Sequence, residues 1–218
     1  MSDRAIFMID TCKHALVLAP HTDDGELGCG GTIARLIEAG CSVIYVAFST
    51  AEQSLPAGLS PGTLKRELKD ATRCLGIPPE NLIVFDYEVR KLNYVRQEIL
   101  ENLVLIKKER QVDLVLMPSL HDIHQDHSTV ATEGLRAFKD KTILGYELIW
   151  NNLMFNTTCF VPLNGRHVRK KVEALRAYQS QSGKAYTSEE FIFSLARTRG
   201  VQIGVQYAEC FETIRWVT

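Results

Sequence analysis

Two short polar segments hold most of the residues that could carry chemistry. The first, residues 20–24, reads Pro-His-Thr-Asp-Asp, and the second, residues 121–127, contains three of the six histidines of the chain. Each follows an apolar run typical of a buried strand, at residues 15–19 and 112–118. Imidazole and carboxylate side chains bind zinc and move protons. The two segments therefore predict a metal-dependent site, provided that the fold brings them together.

Three of these side chains form a suitable ligand set for zinc: His21, Asp24 and His127. His21 and Asp24 are three residues apart, so a strand-to-helix turn can direct both at one ion. Two imidazoles and one carboxylate leave the metal an open position for water, whose pKa the metal lowers toward about 7. Asp23, between the first two ligands, would point elsewhere and becomes the candidate general base for that water.

His124 and Asp126 would support this site. His124 lies three residues before His127, close enough to help stabilise an oxyanion. Asp126 could orient one of the imidazoles or raise its charge. Residues 130–138 then show helical periodicity, which places His127 near the first turn of a helix and on its inward side.

The alternation of predicted strands and helices along the chain would position these segments. Such alternation is typical of a parallel sheet with right-handed crossovers. We predict a Rossmann-like, doubly wound, mostly parallel sheet of strand order 3-2-1-4-5, with helices on both faces in a three-layer α/β/α arrangement. In that order the first and fourth strands are neighbours where the winding reverses, so the two polar segments would face each other across one crevice.

The predicted elements cover most of the chain. The predicted strands are 15–19, 42–48, 82–85, 112–118, 143–150 and 158–161, and the predicted helices are 29–39, 64–75, 95–106, 130–138, 168–175 and 188–199. No repeat, low-complexity tract or linker marks a second domain. Residues 1–218 are therefore expected to form one domain.

Composition excludes some classes of function. The formal net charge is −1 and the pI is near 6.6, so there is no basic footprint for nucleic acid. The six cysteines are scattered without a Cys-x-x-Cys pair, which is typical of reduced thiols. Residues 1–10 show no leader pattern, and no apolar run reaches the roughly 20 residues of a membrane span. We expect a cytoplasmic protein.

At these motifs the sequence resembles the PIG-L/LmbE-like deacetylases. The family's first signature is a strand followed by Pro/Ala-His-x-Asp-Asp and a Gly-Gly pair, which match residues 20–24 and 30–31; its second, His-x-Asp-His, matches residues 124–127. The resemblance implies zinc on His21, Asp24 and His127. It also implies Asp23 as the general base, with the supporting roles inferred above for the other two residues.

The resemblance further implies the reaction, which is removal of an N-acetyl group from an amino sugar or a sugar conjugate. The substrate would be free, nucleotide-linked or lipid-linked, and the protein would be a homo-oligomer. Two departures concern the wall that would face the substrate. Leu64 stands where many members carry an arginine, and Ala51-Glu52 replaces a Gly-Glu pair. Both put the substrate in doubt more than the chemistry.

Several other interpretations of the same residues stay open. The aspartates of the first segment could cap a helix, and the histidines of the second could lie in a solvated loop. A metal-dependent ester or phosphoester hydrolase would use the same ligands, and a sugar-nucleotide binding module without catalysis would need none. The glycines at 25, 28, 30 and 31 indicate close packing rather than dinucleotide binding, because no Gly-x-Gly-x-x-Gly occurs.

Side chains of the C-terminal third could line a pocket for the sugar or the leaving group, although each taken alone is more typical of core or surface. They are Trp150, Asn151, Asn152, Tyr178, Gln181, Tyr186 and Arg197.

Overall fold

The computed structural model describes residues 8–218. The prediction that residues 1–10 carry no leader falls mostly outside the described residues. Within them the strands are β1 His14–Ala19, β2 Ser42–Ala47, β3 Leu82–Val84, β4 Leu114–Pro118, β5 Thr142–Tyr146, β6 Cys159–Leu163 and β7 Tyr207–Arg215. The helices are α1 Met8–Thr11, α2 Asp24–Glu38, α3 Thr63–Leu75, α4 Arg96–Glu109, α5 Gln125–Ala137, α6 Gly165–Leu175 and α7 Glu189–Gln202.

The strands form a single sheet of order β3-β2-β1-β4-β5-β7-β6. The first five in this order are parallel, and they have the predicted order 3-2-1-4-5. The prediction was incomplete beyond them, because β7 pairs antiparallel with β5 and β6 pairs antiparallel with β7. The fold is a three-layer α/β arrangement with a mostly parallel sheet, and it is Rossmann-like only approximately.

Alternate residues of β1 enter two separate cores. Val17 packs with α2, α3, α6 and α7 on one face of the sheet, whereas Leu16 and Leu18 pack with α4 and α5 on the other. This is the consequence of the two-residue period of a strand that is covered on both faces. It explains why the predicted strand is continuously apolar and why its end, rather than its middle, can carry polar groups.

The glycine-rich entry to the first long helix differs from the prediction. Helix α2 begins at Asp24, five residues before the predicted start, and contains a non-helical residue at Cys29 (φ −145°, ψ 23°). The amides that follow this irregularity, those of Gly31 and Thr32, donate hydrogen bonds to the buried carboxylate of Glu209 at 3.0 and 2.6 Å. The Glu209 carboxylate, from β7, therefore caps the N-terminal end of the helical segment that follows Cys29.

Close packing is the reason for glycine at the front of α2. A Cβ atom on Gly28 would lie 2.2 Å from the ring of Tyr146, and one on Gly25 would lie 2.5 Å from the ring of Tyr45. The packing interpretation of these glycines agrees with this geometry.

One C-terminal prediction needs correction, and one strand was not predicted. The predicted strand 143–150 ends at Tyr146, and residues 147–150 form a loop. The strand β7 has no counterpart among the predictions, because Glu209 and Glu212 interrupt its apolar pattern although both side chains are buried. No helix among residues 8–218 is long and apolar enough to cross a membrane.

Candidate active site

The two polar segments meet at the carboxyl ends of adjacent strands. β1 and β4 pair in parallel, with Val17 opposite Leu116. His21 follows the end of β1, and His127 lies in the first turn of α5 after β4, with its side chain buried. This is the reversal point of the sheet, where ligands of such folds bind. The predicted juxtaposition is present.

Three donor atoms form a nearly regular triangle at this point. The Nδ1 atom of His21 lies 3.1 Å from Oδ2 of Asp24, the Nε2 atom of His127 lies 3.2 Å from the same oxygen, and the two nitrogens are 3.2 Å apart. A tetrahedral zinc ion with bonds of about 2.0–2.1 Å separates its ligand atoms by about 3.3–3.4 Å. The triangle therefore has the size of one face of a zinc coordination tetrahedron.

The outer nitrogens of both imidazoles face carboxylates. Nε2 of His21 lies 2.9 Å from Oδ2 of Asp126, and Nδ1 of His127 lies 2.8 Å from Oδ2 of Asp122. An outer N–H that donates to a carboxylate leaves the inner nitrogen with a lone pair for a metal. The structure thus identifies the imidazole that Asp126 contacts, and it adds Asp122, to which the sequence assigned no role.

Asp126 is itself held by two main-chain amides. The amide of Arg90 donates to its Oδ2 at 2.5 Å, and the amide of Leu92 donates to its Oδ1 at 3.2 Å. Arg90 adopts φ +67°, a left-handed conformation that is uncommon for a residue with a side chain. A strained backbone position next to a candidate site therefore supports the carboxylate behind His21.

His124 is placed to donate a hydrogen bond rather than to act as a further metal ligand. Its Nδ1 accepts a hydrogen bond from the Asp126 amide at 3.2 Å, so a neutral ring carries its proton on Nε2. Burial and the neighbouring His127 and His21 lower the pKa of His124, which favours the neutral form. Its ring nitrogen also lies within 4.8 Å of donor atoms of the other two histidines, so a three-histidine ligand set is an alternative on distance alone. The tighter triangle favours Asp24.

Asp23 occupies the N-cap position of α2, but its side chain makes no capping hydrogen bond. The carboxylate instead lines the cleft beside the triangle. Burial, followed by the charge of Asp24, raises the pKa of Asp23 to about 6. The helix-cap interpretation therefore does not describe this residue, and a carboxylate whose pKa lies near neutrality is suited to exchange protons.

The carboxylates in and behind the triangle favour positive charge on its two imidazoles. Burial raises the pKa of Asp24, but His127 and His21 outweigh it and hold that pKa well below the usual range. Burial lowers the pKa of His21 and of His127, but Asp24, joined by Asp126 and Asp122 respectively, raises these values to about 9 and about 10. Two imidazoles are thus drawn to their cationic forms around one carboxylate in the absence of a metal.

A buried network holds the loop that carries the aspartates. The hydroxyl groups of Tyr45 and Tyr178 both lie within hydrogen-bond distance of the Thr22 carbonyl, at 3.1 and 2.6 Å, and both contact the Glu26 carboxyl group. Burial raises the pKa of Glu26 to about 8 against these hydrogen bonds. A protonated Glu26 can donate a hydrogen bond to the hydroxyl oxygen of Tyr45. The hydroxyl groups of Tyr45 and Tyr178 can then both donate to the Thr22 carbonyl oxygen.

A cleft of about 360 Å³ opens over the triangle. Ala51 and Leu64, the two departures from the family pattern, both line it, as expected for a substrate-facing wall. The C-terminal third contributes Trp150, Asn151, Gln181 and Tyr186 to the lining. Tyr178 instead lies in the buried network, and Arg197 contacts the Gln206 carbonyl at 3.1 Å.

The part of the chain that forms this site matches a known protein family. The model of the PIG-L family, described as GlcNAc-PI de-N-acetylase, matches residues 16–138, which is more than half of the chain. The chain belongs to the PIG-L family. The matched segment contains both polar segments and every corner of the triangle.

Individual relatives of this PIG-L chain are named as deacetylases. The diacetylchitobiose deacetylase of Thermococcus kodakarensis is 31% identical over 133 residues, which are 57% of this chain and 49% of that protein. A protein of Bacillus cereus named as a probable N-acetyl-α-D-glucosaminyl L-malate deacetylase is 26% identical over 57% of this chain and 60% of its own length. The chain thus spans 49% and 60% of the length of these two relatives.

A solved structure extends the likeness over nearly the whole PIG-L chain. The conserved protein TT1542 of Thermus thermophilus superposes with a TM-score of 0.80 at 26% identity, covering 94% of this chain and 95% of that one. The C-terminal strands and helices beyond the family match are therefore part of a shared fold.

Proposed function

We propose that this protein is a zinc-dependent hydrolase that removes the N-acetyl group from an amino sugar or a sugar conjugate. The observation that carries the proposal is the triangle of donor atoms from His21, Asp24 and His127, with carboxylates behind both imidazoles and a further carboxylate in the cleft. Membership of a deacetylase family supports the amide as the bond that is cleaved.

His21, Asp24 and His127 would hold the metal. Two imidazoles and one carboxylate form a donor set that zinc accepts and that leaves it a free position. Zinc in this site would supply Lewis-acid activation of the acetyl carbonyl and of a water molecule. The remaining chemistry belongs to side chains of the chain.

Asp23 would move the proton. It would take a proton from the attacking water as the water oxygen bonds to the acetyl carbon, and it would return that proton to the nitrogen as the C–N bond breaks. Acetate and a free amine would be the products. The raised pKa of Asp23, about 6, suits a group that must both accept and release a proton near neutrality.

His124 would stabilise the tetrahedral oxyanion. Its Nδ1 is occupied by the Asp126 amide, so Nε2–H is the group that can donate. Gln181 would contribute to substrate binding, because its buried Oε1 has no hydrogen-bond partner among residues 8–218 and the residue lines the cleft. A sugar hydroxyl or the substrate amide N–H could supply that partner.

An acetate-release screen tests this function. Zinc-loaded protein would be incubated with N-acetylglucosamine, diacetylchitobiose, a nucleotide-linked N-acetyl sugar and matched O-acetyl and phosphoester compounds. We expect acetate together with a free amine from at least one N-acetyl compound, and loss of both when zinc is removed by a chelator. Turnover of only the esters or phosphoesters would assign a different hydrolase. The single domain 1–218, the cytoplasmic location and the homo-oligomeric state stay predictions from the sequence.

A further inference from the structure

The mouth of the cleft carries two cationic side chains on separate segments. Arg90 precedes the short helical turn before α4, and Lys184 lies between α6 and α7; both line the cleft and are exposed. Because the chain as a whole has a formal net charge of −1, this pair of cations is a local feature and not part of a general basic surface.

Arg90 is fixed over the cleft at both ends. Its Nη2 donates to the Ser54 hydroxyl at 2.9 Å, and its own amide donates to Asp126 at 2.5 Å. The remaining guanidinium N–H groups are not used by this contact, and the planar fork of arginine matches a carboxylate or a phosphate.

No carboxylate of the described residues contacts either cation at ion-pair distance. Among residues 8–218, neither Arg90 nor Lys184 forms an ion pair at salt-bridge distance. Glu52, two residues before the Ser54 that Arg90 contacts, accepts hydrogen bonds from the Gly62 amide. Burial raises the pKa of Asp23 and the charge of Lys184 partly offsets this rise, but no ion pair occupies the ammonium group. An anion that enters the cleft could therefore contact both cations directly.

Two stacked aromatic rings beside Lys184 form part of the wall of the cleft. The rings of Trp150 and Tyr186 stack with centroids 4.2 Å apart at an angle of 19°, and the Lys184 ammonium group lies 5.5 Å from the Tyr186 centroid. A flat aromatic wall is suited to the apolar face of a sugar ring. A sugar bound against it, with its acetamido group at the triangle, would have its other substituents in the same cleft that Arg90 and Lys184 line.

We infer that the substrate carries an anionic group, a carboxylate or a phosphate, on the part of the molecule away from the acetamide, and that Arg90 and Lys184 bind this group. The inference rests on the proposed function, since it names the class of sugar conjugate that the same cleft accepts. It assigns both residues to specificity and gives them no part in the chemical step.

Matched substrates that differ in charge test this inference. One pair is the carboxymethyl glycoside of N-acetylglucosamine and its neutral carboxamide, and the other is N-acetylglucosamine 1-phosphate and the neutral methyl glycoside, each in both anomeric forms. We expect kcat/KM to be about 10-fold higher or more for an anionic member, since hydrogen bonds to a charged group are stronger than those to a neutral one. The pair that shows the preference distinguishes a carboxylate from a phosphate.

Charge-removing variants locate the preference. Arg90→Gln keeps the aliphatic stem and places no additional demand on the left-handed backbone, and Lys184→Gln is its counterpart on the other segment. The anionic-to-neutral ratio of kcat/KM should fall in each variant and approach unity in the double variant. Lys69→Gln, on the exposed face of α3, removes the same charge outside the cleft and should leave the ratio unchanged.

Two results overturn the inference: equal kcat/KM for anionic and neutral members in the wild type, or an anionic preference that persists in the double variant. Failure of the proposed function looks different, because no member of either pair would then release acetate. In that case, binding to the zinc-loaded Asp23→Asn protein decides. A dissociation constant about 10-fold lower for an anionic member, lost in the double variant, supports the inference, and equal constants overturn it.

Discussion

The Nδ1 atom of His21 and the Nε2 atom of His127 lie 3.2 Å apart, although 106 residues separate them in the chain. Because the outer nitrogens of both rings face carboxylates, two lone pairs would meet at this point if no cation lay between them. The pKa values of the two imidazoles are raised to about 9 and about 10, which shows that their surroundings favour positive charge at this point. A zinc ion would supply that charge, with the Asp24 oxygen as the third ligand.

Substitution of the histidines distinguishes the two ligand sets that the distances allow. His127→Gln should weaken zinc binding by orders of magnitude, because one corner of the triangle is lost. His124→Gln should retain about one zinc per chain and lower kcat, since His124 would act on the oxyanion. Metal content after dialysis, with the dissociation constant from a competing chelator, measures both. Loss of zinc in His124→Gln with retention in Asp24→Asn would instead support the three-histidine set.

The carboxylates behind the imidazoles should tune the site without binding the metal. Asp122→Asn and Asp126→Asn replace a charged acceptor by an amide of similar shape, so we expect metal affinity or kcat/KM to fall by about 10- to 100-fold. Glu212→Gln is a control, because this buried carboxylate contacts His121, which has no assigned role, at 3.0 Å. Unchanged zinc affinity and turnover in both aspartate variants would contradict the orienting role.

Stability of the metal-free protein should depend on pH through Glu26. Its folded pKa is raised to about 8 from a usual value near 4.5, so the folded state binds this proton more tightly than the unfolded state does. Its contribution is therefore fully present below about pH 4.5 and is lost as the pH rises toward 8. Glu26→Gln keeps a neutral group at all pH values and should remove this dependence.

Urea unfolding at several pH values measures the difference between the two proteins. The unfolding free energy of Glu26→Gln relative to the wild type should rise by about 2–4 kcal/mol between pH 5 and pH 8. The raised pKa values of His21 and His127 also make stability depend on pH, but they do so in both proteins, so this contribution cancels when the two unfolding free energies are subtracted. A constant difference across this range would mean that Glu26 is ionised in the folded protein at neutral pH.

Local patterns were enough to predict much of the site. The strands β1 and β4 are covered on both faces, so their sequences are continuous apolar runs that are easily recognised. The sheet order then brings His21 and His127 together. The spacing of His21 and Asp24 predicted two ligands from one turn, and the distances of 3.1 and 3.2 Å to the shared oxygen agree with it. These features depend on neighbours in sequence and on one rule of sheet topology.

The remaining features depend on contacts between distant segments. Tyr178 reaches the Thr22 carbonyl from 156 positions away, and Arg90 reaches Asp126 through its main chain, which no side-chain pattern reveals. The strand β7 was missed for a related reason. Its glutamates are buried because the Lys171 ammonium group and the amides of α2 contact Glu209, whereas Ser119 and His121 contact Glu212. Because these partners lie far away in the chain, the sequence alone does not distinguish such buried glutamates from ordinary surface residues.

The proposed reaction depends on Asp23 as the group that moves the proton. An Asp23→Asn variant preserves the size of the side chain and removes its basicity, while the triangle of ligand atoms is left unaltered. The most direct test measures zinc content and acetate release on the same preparation, with a substrate identified in the acetate-release screen. We expect about one zinc per chain and a loss of kcat of about 100- to 10,000-fold. Near-normal acetate release by the zinc-loaded variant would contradict this role of Asp23.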